Sequence, residues 1–258
     1  MQSTNRKCLK RQLRHQQLSV KPVFTPRNQP NIYLIHRFTD SNILHDLIRL
    51  AQRTKFYSID TESDRFTRRP ALIQIEFIDQ TASVVILVET CHLPLQQQSL
   101  TFWLIRSLLK FIFVPSNVIY SWADAKKELA DFVRYGLFAF DTVQQLHVFD
   151  VQAEFKRWYS STYAHHPTGT HPWALQVAIS TMFDEFLDKT ETLNRWSRGL
   201  FRYCVPDGHD SKLASMIKYA VNDCLAVTKL ACRIGEQVVR RSSNDLFLMP
   251  ISSLCLVQ

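Results

Sequence analysis

"FYSIDTES", residues 56–63, opens as a buried strand and closes with two carboxylates two positions apart, Asp60 and Glu62. In an extended chain the side chains at i and i+2 share a face, so Phe56, Ser58, Asp60 and Glu62 point one way and Tyr57, Ile59 and Thr61 the other. Like charges that close repel, and a strand end offers three remedies: water, an arginine or a divalent cation. Arg65, Arg68 and Arg69 follow at once and suit the second remedy, and equally suit contact with phosphates. Alone, D-x-E is a short pattern that recurs by accident, and a strand running out into water explains it.

A second carboxylate pattern lies some 160 residues on. The apolar stripe Leu213, Met216, Ala220, Val227, Leu230 and Ala231 follows the 3.6-residue period of a helix, and Asp223 occupies the stripe position between Ala220 and Val227. A carboxylate facing the core needs compensation, either from an ordinary buried salt bridge or from a metal shared with Asp60 and Glu62. Tyr219 stands one turn earlier on nearly the same face, as a packed core tyrosine or as part of the same site.

Between these two points the chain alternates strands and helices, which makes the class α/β. "NIYLIH" (31–36) reads as a strand, and Thr39 or Asp40 can cap a helix carrying Ile43, Leu44, Leu47, Ile48 and Ala51. "KFYSIDTE", "ALIQIEFI" and "ASVVILV" form a three-strand meander. A helix follows from about Gln97 to Phe113, then the strand "NVIYS", a helix from about Asp124 to Tyr135 and the strand "HVFD" (147–150). Further helices are expected near 151–160, 173–186 and 212–236. The expected architecture is a mixed sheet of five to six strands, the first three antiparallel, flanked by helices, with the site at the sheet edge.

With 258 residues, 46% hydrophobic, the chain can bury a sizeable core as one large domain. Arg6, Lys7, Lys10, Arg11, Arg14, Lys21 and Arg27, with no acid among residues 1–30, account for all but one of the formal net +8. The expected division is a basic, disordered arm over 1–30, a folded domain over 31–240 and an extension over 241–258. The six cysteines form no C-x-x-C pair, which suits a reducing, intracellular compartment. No signal-like or membrane-spanning segment is read, so no stable membrane association is expected. The final "CLVQ" fits a prenylation pattern at Cys255, but a single lipid anchor without a second signal holds a membrane poorly. His165, His166 and His171 lie in a Pro- and Gly-containing loop, read as flexible in preference to metal-binding. With five glycines in the chain there is no Gly-rich phosphate loop.

"SIDTE" followed by "PALIQIE", "YSWADAKKELADF", "LDKTETLNRWSRGL" and "YAVNDCLAV", in that order, resembles the three motifs of the DEDDy 3′–5′ exonucleases. The nearest branch is that of ribonuclease D and the Werner exonuclease, within the ribonuclease H-like superfamily. The resemblance spans about residues 31–236. It implies a catalytic set of Asp60, Glu62, Asp124, Tyr219 and Asp223, in which the four carboxylates hold two Mg²⁺ or Mn²⁺ ions and Tyr219 orients the attacking water. It further implies release of nucleoside monophosphates from the 3′ end of single-stranded or 3′-ended DNA or RNA. Arg65, Arg68, Arg69 and Trp122 are the candidates for nucleic-acid contact, Trp122 either stacking a terminal base or filling the core. Lys189 and Trp196 match the family's DK…W segment, read as structural. Two departures stand out: Ser121-Trp122-Ala123 where many relatives carry Gly or His-Asn, and Arg198-Gly199-Leu200 where some carry Arg-Pro-Leu.

Overall fold

A computed structural model describes residues 9, 12–79, 83–95, 98–163, 173–201 and 210–241. His165, His166, His171, Cys255 and most of 1–11 lie outside the described residues. The strands are β1 (Pro30–Ile35), β2 (Phe56–Ser63), β3 (Pro70–Phe77), β4 (Ser83–Glu89), β5 (Val118–Ser121) and β6 (His147–Asp150). The helices are α1 (Ser41–Arg53), α2 (Leu100–Ile112), α3 (Ala125–Ala130), α4 (Phe140–Gln144), α5 (Val151–Thr162), α6 (Leu175–Phe183) and α7 (Asp210–Arg241).

The sheet runs β1-β4-β3-β2-β5-β6. The meander β2-β3-β4 is antiparallel as read, whereas β1 lies parallel to β4, and β5 and β6 continue parallel from β2. Helices cover both faces. Ile73, Ile75, Ile86 and Ile119 pack with Leu44 and Leu47 of α1 and Ile105, Leu108 and Leu109 of α2. Leu72, Val85, Leu87 and Tyr120 pack with Phe155 of α5, Ile179 of α6 and Ala220, Val227 and Leu230 of α7. Every residue of β3 is buried, the signature of a strand with helices on both sides.

Polar side chains set the helix starts. Asp40 caps α1 by accepting from Asn42 N, while Thr39 instead accepts from His36 N and donates to Leu34 O. Ser99 caps α2, which therefore begins at Leu100 and not at Gln97. The helix expected from Asp124 to Tyr135 is α only to Ala130 and tightens to 3₁₀ over Asp131–Tyr135, and the short α4 had no counterpart in the sequence reading.

Residues 12–30 depart from the disordered arm expected of them. Residues 12–18 are helical, and Val23 forms a parallel bridge with Phe186. Phe24 N donates to Phe186 O (2.9 Å) and Phe186 N to Pro22 O (2.7 Å). Phe24 is 4% exposed, Lys21 pairs with Asp184 at 2.9 Å, and Lys229 of α7 donates to Thr25 O at 2.8 Å. The apolar Phe24 drives this docking, which charge counting alone does not show. No helix among the described residues is long and apolar enough to cross a membrane.

Candidate active site

Asp60 and Glu62 share the α7 face of β2, at the end of an interior strand and not at the lateral edge of the sheet. β5 pairs with β2 only as far as Ile59↔Ser121, so the last residues of β2 project beyond it. The face carries more polarity than its hydrophobic surroundings suggest, because the register sets Ser58 against Glu76 and Asp60 against Gln74. Under α7, Ser58 donates to Cys224 O (3.0 Å), and Thr228 donates to Glu76. Gln74, with its amide nitrogen turned toward α7, donates to Ala220 O and Asp60 Oδ2, both at 3.3 Å. Ser58, Gln74 and Glu76 each thereby find a partner.

α7 brings Asp223 down onto this face. One carboxylate oxygen from each of Asp60, Glu62 and Asp223 lies within 4.8 Å of the other two. Asp223 is fully buried, Glu62 is buried and Asp60 is half-buried. Burial first, and then Asp223, hold Asp60 well above the usual carboxylate range. Burial and then Asp60 and Asp223 do the same to Glu62, with Lys189 and the Tyr219 hydroxyl opposing. Three carboxylates so placed are hard oxygen donors of the kind Mg²⁺ and Mn²⁺ take. Asp223 Oδ1 is buried with no hydrogen-bond partner, an orphaned acceptor that a divalent ion would satisfy. The group fits a metal.

Tyr219 lies one turn before Asp223, is 5% exposed and donates from its hydroxyl to Thr192 Oγ1 at 3.2 Å. Burial and the neighbouring carboxylates push its phenol far above the ordinary value.

The cation beside the carboxylates is Lys189. It pairs with Asp223 Oδ2 and sits over the Tyr219 ring, 5.0 Å from its centroid. Burial alone would lower its pKa, but Asp223, Asp60 and Glu62 together hold it raised. The sequence reading treated Lys189 as structural, and only the DK…W resemblance pointed to it. Trp196, from the same segment, is buried against Tyr219 at 5.7 Å between ring centroids.

Asp124 stands outside the group of three. It is exposed, and its side chain accepts from Lys127 N at 3.1 Å as the cap of α3. Glu128, one turn further along, takes a hydrogen bond from Thr61 Oγ1 at 3.2 Å, and its charge acts on Asp60. Ala123, just before the cap, has φ of 87°, a left-handed conformation unusual for a residue with a Cβ. Trp122 spends its indole N–H on Trp173 O (3.0 Å) and packs against the core near Phe155, 6.1 Å away, so the structure gives it a packing role.

Arg65, Arg68 and Arg69 are exposed on the turn after β2 and are not the counterions of Asp60. Asp64 organises that turn, with Oδ1 accepting from Phe66 N and Thr67 N at 2.9 Å and Oδ2 from Ser197 Oγ at 2.6 Å. Gly199 has φ of 86°, which a proline cannot adopt, so the departure from Arg-Pro-Leu reflects a different local backbone.

No family model matches the chain, and no curated protein matches it. Solved structures do. The Aedes aegypti Nibbler EXO domain aligns with a TM-score of 0.59 at 14% identity, over 90% of this chain and 100% of that one. The catalytic core of RRP6 from Trypanosoma brucei gives 0.53 at 16% identity, over 86% of this chain and 51% of that one. Trypanosoma brucei RNase D in complex with RNA U12 gives 0.54 at 13% identity, over 85% and 65%. The chain thus spans about half of the RRP6 core and two thirds of that RNase D. The six-stranded mixed sheet with helices on both faces is the ribonuclease H-like fold that the chain shares with these solved structures.

Proposed function

We propose that this protein is a metal-dependent 3′–5′ exonuclease that releases nucleoside monophosphates from DNA or RNA. The observation that carries the reading is the convergence of Asp60, Glu62 and Asp223, from two distant elements, with Tyr219 one turn away. Asp60, Glu62 and Asp223 would hold Mg²⁺ or Mn²⁺, with Glu128 or Asp124 of α3 supplying a fourth carboxylate. When bound, two such ions supply an activated water and neutralise charge on the phosphate. The protein's own part is positional. The Tyr219 hydroxyl, anchored on Thr192, presents its oxygen to a water beside Glu62 and orients it for in-line attack. The exposed Arg65, Arg68 and Arg69 meet the phosphates of the incoming strand. The RNA-bound relative supports a nucleic-acid substrate.

A second reading, a catalytically silent nucleic-acid-binding module with this fold, is favoured by Asp124, whose carboxylate is spent on a helix cap. Degradation of matched 5′-labelled single-stranded DNA and RNA with Mg²⁺ or Mn²⁺ separates the two. A ladder shortening from the 3′ end, absent with chelator and in the Asp60→Ala, Glu62→Ala double variant, establishes the enzyme. Retained binding with no ladder on either polymer establishes the silent module.

A further inference from the structure

Lys189 and Gln176 line the same cavity. The Lys189 ammonium is engaged with Asp223, one of the three carboxylates of the site. Lys189 also lines a cavity of about 510 Å³, together with Gln176, Thr190 and Leu193. Leu13 and Gln16 of the helical segment 12–18 close its other side. That wall is fixed in place. The His15 ring packs edge-on to Phe186 at 5.1 Å, and Lys21 donates to Ser180 Oγ and pairs with Asp184. Gln176 is 5% exposed, yet its Oε1 has no hydrogen-bond partner. The lining therefore includes a lysine whose acceptor is a carboxylate of the candidate site and a glutamine whose amide oxygen lacks a donor.

A divalent ion on Asp60, Glu62 and Asp223 competes with Lys189 for Asp223 and repels its ammonium at short range. A lysine head on a four-carbon stem can leave without backbone movement, provided a polar group receives it. We propose that Lys189 is a two-position lysine. It holds Asp223 until a divalent ion arrives, then withdraws across the cavity to the Gln176 amide, so that this exchange sets the metal affinity of the site. The inference rests on the exonuclease reading, in that it takes Asp60, Glu62 and Asp223 as metal ligands.

The test is Mn²⁺ binding, followed by loss of the free-ion electron paramagnetic resonance signal, together with melting temperatures in chelator and in Mn²⁺. Lys189→Met is expected to bind Mn²⁺ at least tenfold more tightly than wild type, and to melt lower than wild type in chelator but not in Mn²⁺. Gln176→Leu, which removes the receiving group, is expected to bind Mn²⁺ severalfold more weakly with no fall in its melting temperature in chelator. Should Lys189→Met not fold, the Gln176→Leu affinity decides alone. Mn²⁺ affinities equal to or below wild type in Lys189→Met, or unchanged in Gln176→Leu, overturn the exchange while leaving the metal site intact. A folded wild type and folded variants that all fail to bind Mn²⁺ overturn the exonuclease reading and the exchange with it.

Discussion

Ser197 donates to Asp64 Oδ2 through both its backbone N–H and its hydroxyl, at 3.1 and 2.6 Å, and so ties the turn after β2 to the segment that leads into α7. Burial works against ionisation of Asp64, but the hydrogen bonds from Ser197, Thr67 and Phe66 outweigh it and hold the carboxyl well below the usual range. A depressed carboxyl stabilises the fold above its unfolded value, near pH 4, and that contribution is lost as pH falls through the folded value. Asp64→Ala should cost about 2–4 kcal/mol at pH 7. Urea midpoints should show a smaller gap from wild type at pH 2.5 than at pH 7.

Glu76 gives the opposite slope. Burial lifts it to about 7, although Thr228 and Ser83 donate to it. Between about pH 4.5 and 7 the folded state then binds more protons than the unfolded one, so stability is present at low pH and declines as pH rises. Glu76→Gln should remove that decline. Relative to wild type it should gain on the order of 3 kcal/mol on going from pH 4.5 to pH 8. Parallel pH–stability curves for the two proteins would sink the idea.

Gly199 cannot carry a side chain cheaply. A Cβ there would come within 2.7 Å of both Glu89 Oε2 and His92 Nε2, on a backbone already at φ 86°. Gly199→Ala should lose about 1–3 kcal/mol in chemical denaturation, and Gly199→Pro more. A neutral alanine would mean that the segment before α7 re-forms freely.

Ala123 is strained in the same sense without a glycine to relieve it. Ala123→Gly should raise stability by about 0.5–1 kcal/mol, because the left-handed cost of a Cβ exceeds the extra chain entropy of glycine. The melting temperature reads the result, and a fall would place the strain elsewhere.

The fourth carboxylate can be assigned by comparison within α3. Asp124→Ala should cost about 1 kcal/mol of stability as a lost cap while nuclease rates stay within tenfold. Glu128→Gln should slow degradation more than tenfold with little change in stability, since its charge acts on Asp60. The reverse order of rates would show that Asp124 gives up its cap on substrate binding.

What could be read from the chain follows from the range of the interactions involved. The side-by-side placement of Asp60 and Glu62 is a local consequence of strand geometry, and Asp223 is betrayed by one wrong residue in an apolar stripe, so both were legible. Lys189 was not, because its partner is 34 positions away and nothing local marks a loop lysine as buried. Nothing local marks Gln74, and only the register sets it opposite Asp60. The parallel docking of β1 on β4 was equally hidden, since its strand pattern does not name its neighbour. Asp124 reads two ways for a different reason: an aspartate before a helix is at once a family motif residue and a good cap, and the structure shows the cap.

The hydrogen bond from Ser58 to Cys224 O joins residues 166 positions apart, and it lies at the heart of the acidic face. At ribosomal speeds the second partner is made roughly 8–33 s after the first. Until then Asp60 and Glu62 are a bare pair with neither Asp223 nor the α7 roof, whereas the strap of residues 12–25 gains Phe186 to dock on somewhat earlier. A nascent chain therefore carries Asp60 and Glu62 through most of its synthesis without the third carboxylate of the group, and under the proposed function ribosome-bound fragments ending before α7 should degrade no nucleic acid.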